Sequence, residues 1–136
     1  MDNNWVTQIE DNVRDYIESE LTEYEDILVT SEPYTGDVPT FPVVYVHEMP
    51  QREVGQDLDG SNIVAVSTTF QIEIATSTKA LCKDISTKVM MLMKELRFKV
   101  IASPLYQEGN GYSKSVSRYE RVVGGEDGDL VDKYSE

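Results

Sequence analysis

The chain holds one cysteine, one histidine and one tryptophan in 136 residues. A lone Cys82 cannot close an internal disulfide, which fits a reducing compartment. Structural zinc needs several His or Cys ligands, and His47 with Cys82 makes only two. Basic residues are scarce as well: 12 Lys and Arg stand against 25 Asp and Glu, for a net charge of -13. That sign repels phosphates and anionic headgroups, so nucleic-acid binding and membrane-surface docking are disfavoured. No apolar run approaches the roughly 20 residues that span a bilayer. The opening Met-Asp-Asn-Asn-Trp has no basic stretch followed by an apolar one, so no secretion leader is expected.

What is present is enough apolar residue for a core, at 40% of the chain. One domain over residues 1–123 is expected, with residues 124–136 a flexible acidic tail punctuated by Gly124, Gly125 and Gly128. Charge is distributed unevenly. Residues 1–37 carry 11 acidic side chains against Arg14, whereas Lys79 to Arg121 carry nine basic against four acidic. Such an asymmetry either steers copies together head to tail or marks two solvated faces that never meet.

Periodicity supplies the elements. Trp5, Ile9, Val13, Tyr16, Ile17 and Leu21 recur at helical spacing, predicting a helix from about Asn4 to Leu21 capped by Asn3 or Asn4. Short strands are expected at Ile27–Thr30 and Val43–Val46, separated by a loop containing Pro33, Gly36, Pro39 and Pro42. A polar arm, Gln51 to Asn62, then leads into the longest strand. There Val64, Val66, Thr68, Phe70, Ile72 and Ile74 alternate with Ser67, Thr69, Gln71 and Glu73. Thr76 or Ser77 caps a second helix whose stripe is Leu81, Ile85, Val89, Leu92 and Leu96. A hairpin follows, Lys99–Tyr106 and Tyr112–Val123, turning at Glu108-Gly109-Asn110-Gly111. The expected class is α+β, a mixed or antiparallel β-sheet with two helices packed on it in the order α-β-β-β-α-β-β.

Chemistry-bearing patterns are thin. His47-Glu48 is not the His-Glu-x-x-His zinc pattern, because Gln51 stands in place of the second His. Asp57-Leu58-Asp59-Gly60 places its glycine fourth instead of sixth for a calcium loop, and Thr68 replaces the twelfth-position Glu. Glu73 lacks the lysine two residues on that a metal-dependent nuclease would use, Ala75 being there. Met90, Met91 and Met93 read as core filling sooner than as an adaptable interface. No catalytic, cofactor or metal residues are assigned, and an enzyme is not expected. The segment Ser117-Arg118-Tyr119-Glu120-Arg121 is too polar for a strand buried on both faces. Arg118, Tyr119 and Arg121 are therefore candidate contact residues, Arg and Tyr being enriched where proteins meet. The alternative is a sheet edge blunted by charge.

An N-terminal helix, strands around a long loop, Leu-Arg-Phe near the end of the second helix and a last strand Tyr-Ser-Lys-Ser-Val-Ser-Arg-Tyr-Glu-Arg-Val-Val follow one another from Trp5 to Val123. In order, size and the texture of that strand the chain resembles the tail terminator (tail completion) proteins of long-tailed bacteriophages. The resemblance implies a virion protein at the head-tail interface, assembled in the host cytoplasm without a cofactor. It implies a homo-oligomer, usually a hexameric ring, that caps the tail tube, stops its elongation and docks to the head connector. Tail tube protein and head-tail connector proteins are then the partners, and DNA passes through the channel without specific binding, helped by an acidic lumen. The arm would contribute Glu53, Asp57 and Asp59 to contacts with neighbouring subunits or the tube. Other readings of the same residues are a different head-tail connector or minor capsid protein, or a small cytoplasmic protein-binding adaptor.

Overall fold

Alternation along the longest strand decides the architecture, because it gives the sheet one apolar face that needs cover. The computed structural model describes residues 4–32, 42–55, 63–109 and 111–131. A 3-10 turn, Asn4–Thr7, leads into α1, Ile9–Glu20, and strand β1 follows at Leu28–Thr30. Then come β2, Val43–Glu48, β3, Arg52–Val54, and β4, Ala65–Thr76. Helix α2 spans Lys79–Glu95, and β5, Lys99–Gly109, pairs with β6, Tyr112–Gly124. The class is α+β, with a mixed six-stranded sheet and two helices.

Strand order is β1-β2-β4-β6-β5, with β3 also on β4. Among the described residues only β1 and β2 run parallel, and every other pairing is antiparallel. Since β6 is antiparallel to both β4 and β5, the chain leaving β4 through α2 returns parallel to it with β6 inserted between. Helix α1 packs over the β1–β2 end and α2 over β4, β6 and β5. Between helices and sheet lies one core, which includes Ile9, Val13, Ile17, Phe70, Ile85 and Met93. Phe70 and Phe98 meet edge to face there, their centroids 5.6 Å apart.

Polar contacts stitch α2 to α1 and to the loop that follows it. Tyr16 Oη donates to Glu95 Oε2 and Tyr24 Oη to Asp84 Oδ2, each at 2.7 Å. The bond to Glu95, joined by burial and nearby carboxylate charge, pushes the Tyr16 phenol up to about 12. Burial and then Asp84 raise Tyr24 as well.

Four expectations need correction. The α-helix proper starts at Ile9 after Gln8, with no side-chain cap, because the first residues wind into the tighter 3-10 turn. The second helix is capped by Thr78, whose Oγ1 accepts from Leu81 N at 3.2 Å, while Thr76 Oγ1 donates to the Thr78 carbonyl. Within the expected arm, Arg52–Val54 is a strand. Residues Ala65–Ser67 of β4 extend past the end of β2 and leave an edge for it to pair with. Pro50 sits between β2 and β3, where its missing N–H interrupts the ladder. Finally, the chain from Gly124 to Val131 is not a loose tail. Leu130 and Val131 are buried in the core, Asn12 Nδ2 donates to the Leu130 carbonyl at 2.6 Å, and Gly125 passes close to the Trp5 ring.

Candidate interaction surface

Strand β6 reverses the usual hydrophobic order. Its inward residues are Ser113, Ser115, Ser117, Tyr119, Arg121 and Val123, all buried, whereas Val116 and Val122 point out with Lys114, Arg118 and Glu120. The cause is α2. A helix lying close on a strand leaves room for small side chains, and Ser86 of α2 meets Ser115 hydroxyl to hydroxyl in the buried layer.

The other face of the sheet is built from cross-strand rows. Tyr45, Glu73, Val116 and Leu105 stand side by side, followed by His47, Gln71, Arg118 and Ala102, then by Thr69, Glu120 and Lys99. Neither helix covers this face, and its side chains pair along it. Lys114 Nζ reaches Glu73 Oε1 at 2.8 Å, and Arg118 Nε donates to Gln71 Oε1 at 3.0 Å. Tyr45 and His47 stack with centroids 5.6 Å apart. Burial, then the Glu73 charge, raises the Tyr45 phenol. Apolar surface is left bare at the β5–β6 edge: Leu105 is 63% exposed, Val122 54% and Ile101 43%. None of these three stood out in the sequence. The signal was the phase of β6, which becomes readable only once the serines are known to face inward.

The candidate residues separate accordingly. Arg118 lies on the open face, and Glu53 is exposed on β3. Asp57 and Asp59 lie outside the described residues. Tyr119 and Arg121 are corrected: both belong to the interior of the single chain and cannot face a partner. Tyr119 is fully enclosed opposite Phe70, and burial pushes its phenol up. Arg121 is enclosed too, donating from Nη1 to the Leu96 carbonyl at 2.7 Å and to Asp129. A buried guanidinium needs carboxylates around it, and Asp127 and Asp129 provide them.

A cleft of about 760 Å³ and mixed lining opens between the start of α1 and the end of β2, with Glu10, His47, Glu48 and Gln51 beside Val6, Met49 and Pro50. Glu48 accepts from Thr68 Oγ1 and from Gln51 Nε2, which also donates to the Val6 carbonyl. The Glu48 N–H donates to Glu10 Oε2 at 3.0 Å. Burial raises the Glu48 carboxyl despite its hydrogen bonds. These contacts join α1 to the β2–β3 turn. Among the described residues no group of three His, Cys, Asp or Glu side chains could hold a metal ion, and no helix is long and apolar enough to cross a membrane.

Charge follows the strand order. At the α1–β1 end, Glu18, Glu20, Glu25 and Glu32 are exposed and form no ion pair among the described residues. Leu28 of β1 is 51% exposed beside them. At the opposite end, Arg118 and the Lys99–Glu120 row stand between the exposed Leu105 and Val122, and Lys83 sits over the Tyr106 ring at 5.7 Å. No protein-family model matches the chain, and no curated protein matches it.

Proposed function

We propose that the chain is a structural virion protein of a long-tailed bacteriophage, acting without catalysis at the head-tail junction. Copies assemble into a ring, six in the resemblance, that seats on the end of the tail tube, blocks further addition and presents a new surface to the head connector. The observation that carries the reading is a sheet with one face closed by two helices and the other covered by no described element. That second face meets an edge where Ile101, Leu105 and Val122 are exposed among charges. Exposed apolar groups rimmed by charge mark a surface built to meet protein.

One part of the expectation changes. Acidity suited to a DNA channel is not concentrated on the open sheet face, where Arg52, Lys99, Lys114 and Arg118 accompany Glu73 and Glu120. It gathers on α1 and beside β1, and in this reading its use is subunit pairing.

The test is assembly. Sedimentation of the full chain, alone and with tail tubes lacking a terminator, should give a ring-sized species and tubes of uniform length by electron microscopy. A chain that stays monomeric in both settings, with tubes growing unchecked, refutes the proposal.

A further inference from the structure

The geometry points to a head-to-tail contact between copies, in which the basic, apolar β5–β6 end of one chain docks on the acidic α1–β1 end of the next. The inference rests on the ring reading and names the surfaces that would close it.

Three observations carry it. The charge asymmetry visible along the chain becomes spatial, because β1 and β5 are the opposite outer strands of the sheet and α1 lies over the β1 end. The charges at both ends are unspent. Among the described residues Lys99, opposite Glu120 across the strands, forms no ion pair, Arg118 is held by the neutral Gln71 amide, and Glu18 and Glu25 bridge to no cation. Each end also exposes apolar surface, Leu28 at one and, on either side of the charged rows, Leu105 and Val122 at the other, so the contact has something to bury beyond charge. Two different patches on opposite ends of one molecule make a heterologous contact. Repeated, it closes a ring if the rotation per copy allows and otherwise builds a filament. Like ends repel, which excludes the two-fold dimer.

A charge-swap experiment tests it under the conditions in which wild type assembles, alone or on tail tubes. Lys99→Glu with Arg118→Glu reverses the basic end, and Glu18→Lys with Glu25→Lys reverses the acidic one. All four side chains are exposed or outward, and Lys99→Glu faces Glu120 across the strands, so the melting midpoint by circular dichroism should fall by no more than about 5 °C. Each double variant alone should associate at least about tenfold more weakly than wild type, since both of its ends now carry one sign. An equimolar mixture should assemble again, because every contact in an alternating array joins opposite signs. Raised salt should weaken wild type and mixture alike. Variants that assemble as wild type does overturn the docking assignment and leave the ring standing. A mixture that fails to recover also overturns it. A wild type that assembles in neither setting removes the ring itself.

Discussion

The guanidinium of Arg121 grips the carboxylate of Asp129 in two parallel hydrogen bonds, Nη1 to Oδ2 at 2.8 Å and Nη2 to Oδ1 at 3.1 Å. Arg97, turned into the left-handed region at φ 65° just past α2, reaches the same carboxylate from outside. Through this pair the end of the chain is tied to β6 and to the carbonyl of Leu96.

Arg121→Ala should therefore destabilise the chain by about 3 kcal/mol, because Asp127 and Asp129 lose the buried cation they face. Arg118→Ala, on the open face, should stay within about 0.5 kcal/mol of wild type. Urea titration followed by circular dichroism checks both. Equal midpoints for the two variants would show that the Arg121 clamp is not holding the fold.

Removing residues 125–136 should cost about 7 kcal/mol, taking roughly 2 kcal/mol for each of the buried side chains Leu130 and Val131 and about 3 kcal/mol for the buried Arg121 left without Asp127 and Asp129. Trp5 loses the Gly125 backbone from its ring, so its emission should move to longer wavelength. An unchanged spectrum would contradict the docked end.

Glu48 and Asp129 give opposite pH dependences. Burial raises the Glu48 carboxyl from its ordinary 4.5, so its contribution to stability is full below about 4.5 and is lost as pH rises through the folded value. Burial also acts to raise Asp129, but the hydrogen bonds and charge of Arg121, with Arg97, outweigh it and leave the carboxyl below 3.8. Its contribution is full above about 3.8 and disappears as pH falls through the lower folded value. Midpoints of thermal unfolding measured across acid pH should show wild type gaining on Glu48→Gln as pH drops toward 4.5. It should lose its lead over Asp129→Asn only below about 3.8. Parallel curves for all three would remove both assignments.

The buried pair Ser86–Ser115 should behave cooperatively. Ser115→Ala leaves the Ser86 hydroxyl enclosed without that partner and should cost about 1–2 kcal/mol. Adding Ser86→Ala should cost little more. Ser115→Leu should cost about 3 kcal/mol by pushing α2 off the strand. Additive alanine effects would mean the two hydroxyls are independent.

Much of the fold is legible in the residues. The core stripe of α1, the alternation of β4 and the hairpin closing at Gly109–Tyr112 follow from local periods of 3.6 and 2 and from glycine at a turn, where Gly111 takes φ 81°. Strand β3 was hidden, since Arg52-Glu53-Val54 has no pattern of its own and pairs because β4 offers an edge. Half of the candidate surface was hidden as well. Tyr119 and Arg121 look like contact residues in one dimension and prove to be interior, while Leu105 and Val122, which carry no signal there, prove to be exposed.

By itself the sequence determined where the helices and long strands lie, and that acidic and basic residues sit in different stretches, because period and composition are local properties. Only the tertiary structure decided which side of β6 faces inward, that the last described residues dock, and that the two charge blocks stand at opposite edges of the sheet. Alternation marks two faces of a strand without saying which is covered. That choice belongs to α2, whose close approach admits serines and leaves the valines in water, and to a buried arginine that requires carboxylates brought from further along the chain.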